Sequence, residues 1–86
     1  MKFQRTARFK RMYKKLGPKQ REAVKKALRL MAENIRHPSL RVKRLQGTKK
    51  IWEASARNSL RITFERDNDL ILLRNSSEDD KTLGNP

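Results

Sequence analysis

Arg61 lies in Leu60-Arg61-Ile62-Thr63-Phe64-Glu65, where apolar and polar residues alternate strictly. That period is the pattern of a strand with one buried and one exposed face. The guanidinium should therefore project from the polar side, away from Leu60, Ile62 and Phe64. In that position it stays charged at any relevant pH and forks onto two oxygens of a phosphate. The plainer alternative is a surface arginine paired with a neighbouring acid. His37 is the one histidine in the sequence, and a lone histidine in a loop, held extended by Pro38, reads as incidental rather than as a general acid–base. Glu78, Asp79 and Asp80 are adjacent acids, but consecutive carboxylates rarely converge on one ion. They read as a solvated segment, and no metal site is assigned.

Charge is the strongest compositional signal. The 86 residues carry a net charge of +14, where about 2–8 in magnitude suffices for solubility. Residues 1–50 hold 18 Lys and Arg against Glu22 and Glu33, whereas residues 51–86 are slightly acidic. Such asymmetry points to a polyanion partner, most often nucleic acid. There is no cysteine, hence no disulfide frame and no thiolate zinc site. The opening MKFQRTARFK lacks the apolar core of a signal peptide, and no run approaches membrane-spanning length. The expectation is one cytoplasmic domain over residues 1–86, without membrane contact and with a single modest core.

The elements that must carry these residues follow from periodicity. Lys2–Arg5 reads as a short basic strand. Thr6 is placed to cap a helix whose stripe is Phe9, Tyr13 and Leu16. Gly17 stands where a left-handed cap would end that helix, and Pro18 can open the next. The second helix, about Pro18 to Asn34, has Val24, Leu28, Met31 and Ile35 as its stripe. The opposite faces are cationic, with Arg11, Lys14, Lys15, Lys25, Lys26 and Arg29 prominent. Like charges one turn apart weaken an isolated helix, so their repetition favours a phosphate-tracking surface. Leu40–Leu45 reads as a strand in which Arg41, Lys43 and Arg44 continue the basic surface. Ile51–Asn75 reads as three consecutive strands, divided by Arg57-Asn58-Ser59 and Asp67-Asn68-Asp69. The apolar run Leu70–Leu73 suits a central strand. The fold class is α+β: a short strand and a helical hairpin on an antiparallel sheet, in the order β-α-α-β-β-β.

The run HPSLRVKRLQGTKKIWEASARNSLRITFERDNDLILLRN resembles the RelE/ParE superfamily of toxins from type II toxin–antitoxin systems, and the branch carrying "hPsLrvkrL-G-t-iWEarv…yRitF…illrn" above all. The basic strand and the two cationic helices fit its opening, so the resemblance spans residues 1–83. It implies the same β-α-α-β-β-β order. It implies a cognate antitoxin, and operator DNA through the antitoxin complex. For RelE-like members it implies metal-independent cutting of mRNA in the ribosomal A site, with no cofactor. ParE-like members poison DNA gyrase instead.

Cutting RNA without a metal requires the neighbouring 2′-OH to attack the phosphate. A base must take its proton, a cation must stabilise the phosphoryl charge, and an acid must protonate the leaving oxygen. The resemblance assigns the cation to Arg61, matching the arginine of "yRitF", and the base to Glu53, matching "iWE". A two-residue turn at Asn58-Ser59 would set Glu53 opposite Phe64, facing the helices and away from Arg61; a bulge would reverse that parity. Glu53 could equally be a structural acid paired to the helix layer. Trp52 could stack on a base or simply pack. Two positions depart from the branch. Ser55 stands where an arginine is common after "WEa". Asp79 stands where the pattern "vGeHDktl" has its catalytic histidine, and an aspartate is ionised at neutral pH. The expectation is an RNA-binding frame with reduced nuclease activity, the tail over about 76–86 completing the active-site region. The alternatives are a non-catalytic toxin-fold protein that binds antitoxin and RNA or DNA, and a gyrase inhibitor.

Overall fold

The structure is a computed structural model, and it describes residues 1–48, 50–78 and 86. The elements run β1 (Lys2–Arg5), α1 (Ala7–Lys15), α2 (Pro18–Glu33), a 3-10 turn (Pro38–Leu40), β2 (Lys43–Arg44), β3 (Ile51–Arg57), β4 (Leu60–Asp67) and β5 (Leu70–Glu78). The five strands form one sheet in the order β1-β5-β4-β3-β2. Both helices lie on one side of it, α1 over β5 and α2 over β3. Their stripes interleave with the apolar face of the strands, so Phe9, Val24, Met31, Ala54, Ile62, Phe64, Ile71 and Leu73 are fully buried. Among the described residues no helix is long and apolar enough to cross a membrane.

Thr6 fixes the first helix to the sheet as well as capping it. Its hydroxyl oxygen accepts from the Phe9 amide at 3.1 Å and donates to the Leu73 carbonyl at 2.9 Å. Losing an N-cap costs about 1 kcal/mol, and a buried hydrogen bond about as much again. Thr6→Ala should therefore destabilise the protein by roughly 2 kcal/mol in urea unfolding, while Thr6→Ser, which keeps the oxygen, should stay close to the parent. Equal losses in the two variants would remove the hydroxyl from this account.

Four expectations need correction. The sheet is mixed rather than antiparallel, because β1 enters at the edge beside β5 and runs parallel to it. Gly17 is not left-handed. It is extended at φ −70° and ψ 166°, since the proline that follows disfavours any other backbone for it. It serves as the N-cap of α2, donating its amide to Gln20 Oε1 at 3.0 Å. The strand expected over Leu40–Leu45 shrinks to Lys43–Arg44. Pro38 opens a 3-10 turn there, and Arg41 at φ 47° breaks any extended run. Finally, Ser76, Ser77 and Glu78 belong to β5 rather than to a tail, because β4 extends far enough to pair with them.

Candidate active site and nucleic-acid interface

Two β-bulges decide which side chains share the face of the sheet away from the helices. Asn58-Ser59 does form the tight turn, with Asn58 in the left-handed region at φ 39°, a conformation asparagine tolerates. Arg57 then pairs with Leu60, but Ser55 pairs with Arg61, leaving Ala56 as an extra residue. A bulge of this kind flips the parity of every residue beyond it. Glu53 consequently lies opposite Thr63, on the same face as Arg61, and the expectation from an unbroken ladder is reversed. The alternation within β3 already carried the signal, since Trp52, Ala54 and Ala56 are apolar against polar Glu53 and Ser55. A second bulge makes Arg74 the extra residue of β5. It brings Asn75 opposite Thr63 and Ser77 opposite Arg61.

The face away from the helices therefore carries Glu53, Ser55, Arg61, Thr63, Asn75 and Ser77, of which Glu53, Thr63, Asn75 and Ser77 are buried. Glu53 is only 5% exposed. Its Oε1 meets Lys43 Nζ at 3.3 Å, while Oε2 is buried without a hydrogen-bond partner among the described residues. The Thr63 hydroxyl, its cross-strand neighbour, is in the same condition. Buried polar atoms are nearly always paired, so each exception calls for an explanation. Here the two lie opposite one another. A cavity of about 690 Å³, lined by Lys43, Arg44, Leu45, Gln46, Thr48, Glu53 and Pro86, borders the carboxylate.

Arg61 is half-buried, and its Nη1 donates to the carbonyls of Asn58 and Leu60. It thus lies along the β3–β4 turn. Glu53 and Arg61 are diagonal partners on this ladder, a relation that sets backbones about 7–8 Å apart. The expected acid, Asp79, lies outside the described residues. Glu78 is a structural tie: its carboxylate accepts from Gln20 Nε2 at 2.8 Å and from the Ser59 hydroxyl. His37 Nδ1 accepts from the Ser39 amide at 3.2 Å, capping the 3-10 turn.

The remaining cations divide between surfaces. Arg11, Lys14, Lys15, Lys25, Lys26 and Arg29 are exposed on the helices, across the sheet from Glu53, so they do not line one groove with it. Lys43 stands on the Glu53 face. Arg44 and Trp52 are paired on the helix side, with the Arg44 and Arg66 guanidiniums about 6.0 and 5.9 Å from the indole centroid. Arg41 is exposed beside them. A further pair, Arg8 and Arg74, meets at the β1 end without any local pattern that foretells it. Arg8 and Arg74 both donate to the Pro86 carbonyl oxygen, and Arg74 also pairs with Glu65. Burial, then the like charges of Arg74 and Arg11, pulls the Arg8 guanidinium below its ordinary pKa.

A basic strand, a helical hairpin and a five-stranded sheet with both helices on one side make a RelE-like fold. YafQ from E. coli, as a histidine-to-glutamine mutant, superposes with a TM-score of 0.75 at 16% identity, over 95% of this chain and 97% of that one. A chain of the RelB-RelE antitoxin–toxin complex from Methanococcus jannaschii gives 0.70 at 16% identity, covering 98% and 96%. The intact E. coli RelBE toxin–antitoxin complex gives 0.70 at 20% identity, covering 90% and 94%. At these identities the likeness is one of fold. No family model and no curated protein matches the sequence.

Proposed function

We propose that this chain is the toxin of a toxin–antitoxin pair, and that it cuts ribosome-bound mRNA without a metal. The observation that carries the reading is the shared face of Glu53 and Arg61, in a fold common to YafQ and RelE. Glu53 Oε2 is the general base. It has no competing donor among the described residues, and Lys43 on the other oxygen holds the carboxylate in place. Arg61 exchanges its turn carbonyls for the phosphoryl oxygens as negative charge builds on them. Asp79 and Ser55 are the weak points. An ionised aspartate cannot protonate the leaving 5′-oxygen, and Ser55, directly opposite Arg61, contributes no second cation. Turnover is accordingly slow, and Asp79→His accelerates it.

The partners in this reading are a cognate antitoxin, the ribosome and mRNA, in the cytoplasm, with operator DNA reached through the antitoxin complex. A chain so cationic suits an acidic or amphipathic antitoxin segment. The same two departures favour the second reading, a toxin-fold protein that binds antitoxin and nucleic acid without cutting. Expression without antitoxin, followed by primer extension on ribosome-bound mRNA, separates them. Breaks at the A site that fade in Arg61→Ala support the nuclease. An unbroken message, with growth unaffected, supports the binding protein. Arg61→Ala should keep its melting temperature, since the side chain is half-exposed; a large fall would make it structural.

A further inference from the structure

The helix side of the β2–β3 edge holds a second site that the cutting chemistry does not use. A cavity of about 380 Å³ lies beyond the end of α2. Ile35, Val42 and the half-buried indole of Trp52 supply apolar walls, and Arg36, Arg41 and Arg66 stand around them. Arg44 reaches the same indole from β2. None of these arginines has an ion-pair partner among the described residues. Two of these guanidiniums lie over the indole and two more line the cavity beside it, and like charges gathered on one patch repel each other. Such an arrangement is stabilised by a ligand that brings negative charge.

We infer that this cavity binds one nucleotide of a single-stranded RNA, its base on Trp52 and its phosphates on Arg44 and Arg66. The two guanidiniums sit at the outer limit of cation–π distance, about 6 Å, so little is lost when they turn to a phosphate. A base supplies a flat face for the indole, the device by which single strands are held with little sequence preference. An acidic peptide would satisfy the arginines and leave the indole unused. A duplex keeps its bases stacked inside and cannot present one to a cavity of this size. The location gives the site a purpose. Lys43 and Arg44 are consecutive, as are Trp52 and Glu53, so each strand points one of its pair to each face. β2 is only two residues long, and a strand bent around it meets Glu53 on one side and Trp52 on the other. The bound nucleotide therefore flanks the one that is cut. Only this last step rests on the proposed nuclease reading.

Trp52 is the sole tryptophan, so its emission reports the site directly. The full chain is titrated with a 2′-O-methylated hexanucleotide, which lacks the attacking hydroxyl and cannot be cut. Saturable quenching by at least half is expected, with none from inorganic polyphosphate. Arg44→Gln/Arg66→Gln should weaken binding more than tenfold. Lys25→Gln/Lys26→Gln, which removes the same charge from the helix face, should weaken it less than threefold. Equal losses in the two double variants, or equal quenching by polyphosphate, would reduce the site to general electrostatics and overturn the inference. Tighter binding and stronger quenching by a polyglutamate peptide would make it a protein-docking surface and overturn it as well. Quenching that persists in a chain unable to cut mRNA supports the site while removing the nuclease.

Discussion

On the proposed nuclease reading, Glu53→Gln is expected to lower mRNA cleavage by about 10²–10⁴-fold, the usual contribution of a positioned general base, and to leave the fold intact. The amide keeps the shape of the side chain but cannot take a proton from a 2′-OH. Little else changes. Oε2 has no hydrogen-bond partner among the described residues, so no donor is stranded. Oε1 meets Lys43, whose side chain is 71% exposed, and a lysine so exposed returns to water when its partner is neutralised. The Lys43 end of the pair stays hydrated and only the Glu53 end is buried, so neutralising the carboxylate removes a buried charge rather than stranding one. Cleavage of ribosome-bound mRNA is measured beside the melting temperature. If Glu53 is a structural anchor for β2 instead, the melting temperature falls steeply in Glu53→Gln and in Lys43→Met alike, while cleavage per folded molecule stays constant. That pattern would remove Glu53 from the chemistry.

Phe64→Ala is the second large effect, and it acts on stability. Phe64 is fully buried and sits where three things meet: the helix layer, its β3 partner Trp52, and Leu73 just beyond the β5 bulge. Truncating a buried phenylalanine costs about 3–5 kcal/mol, part lost transfer energy and part cavity. The whole stability of a small domain is about 5–15 kcal/mol. The variant should therefore lose roughly 15–30 °C in melting temperature, or be largely unfolded at 37 °C. Phe64→Leu, which keeps most of the volume, should lose less than half as much. Urea unfolding of both variants checks this. A loss below about 1 kcal/mol for Phe64→Ala would mean that the core closes around the gap, contrary to close packing in protein interiors.

The helices were legible because each carries local signals that agree. Thr6 caps where the stripe Phe9, Tyr13 and Leu16 begins, and Pro18 opens α2 where the next stripe starts. β4 was legible for the same reason, since Leu60, Ile62 and Phe64 alternate with Arg61, Thr63 and Glu65 over its length. The short β2 was not. Leu40–Leu45 has strand-like composition, and the 3-10 turn that replaces half of it depends on His37 and Ser39 meeting around Pro38. Gly17 misled because its permissiveness suggested a left-handed cap, while the restriction imposed by Pro18 was the stronger force.

The proposed pairing of Glu53 with Arg61 is where residue type and residue position part. From the sequence came Arg61 on a polar face, a charge that demands a polyanion, and a glutamate one residue after a tryptophan. Those are properties of side chains and of strand period, and both are local. Whether Glu53 and Arg61 share a face depends on one extra residue, Ala56, in the ladder with β4. The places of Asn75 and Ser77 depend on Arg74 in the same way. A bulge is a property of two paired strands: the alternation within β3 marks Glu53 and Ser55 as one polar face, and only the pairing with β4 puts that face with Arg61. The split of the cations has the same origin. Composition made one basic surface of them, and the sheet, with helices on one side only, put Lys43 with Glu53 and Arg44 with Trp52 on opposite faces of a single edge.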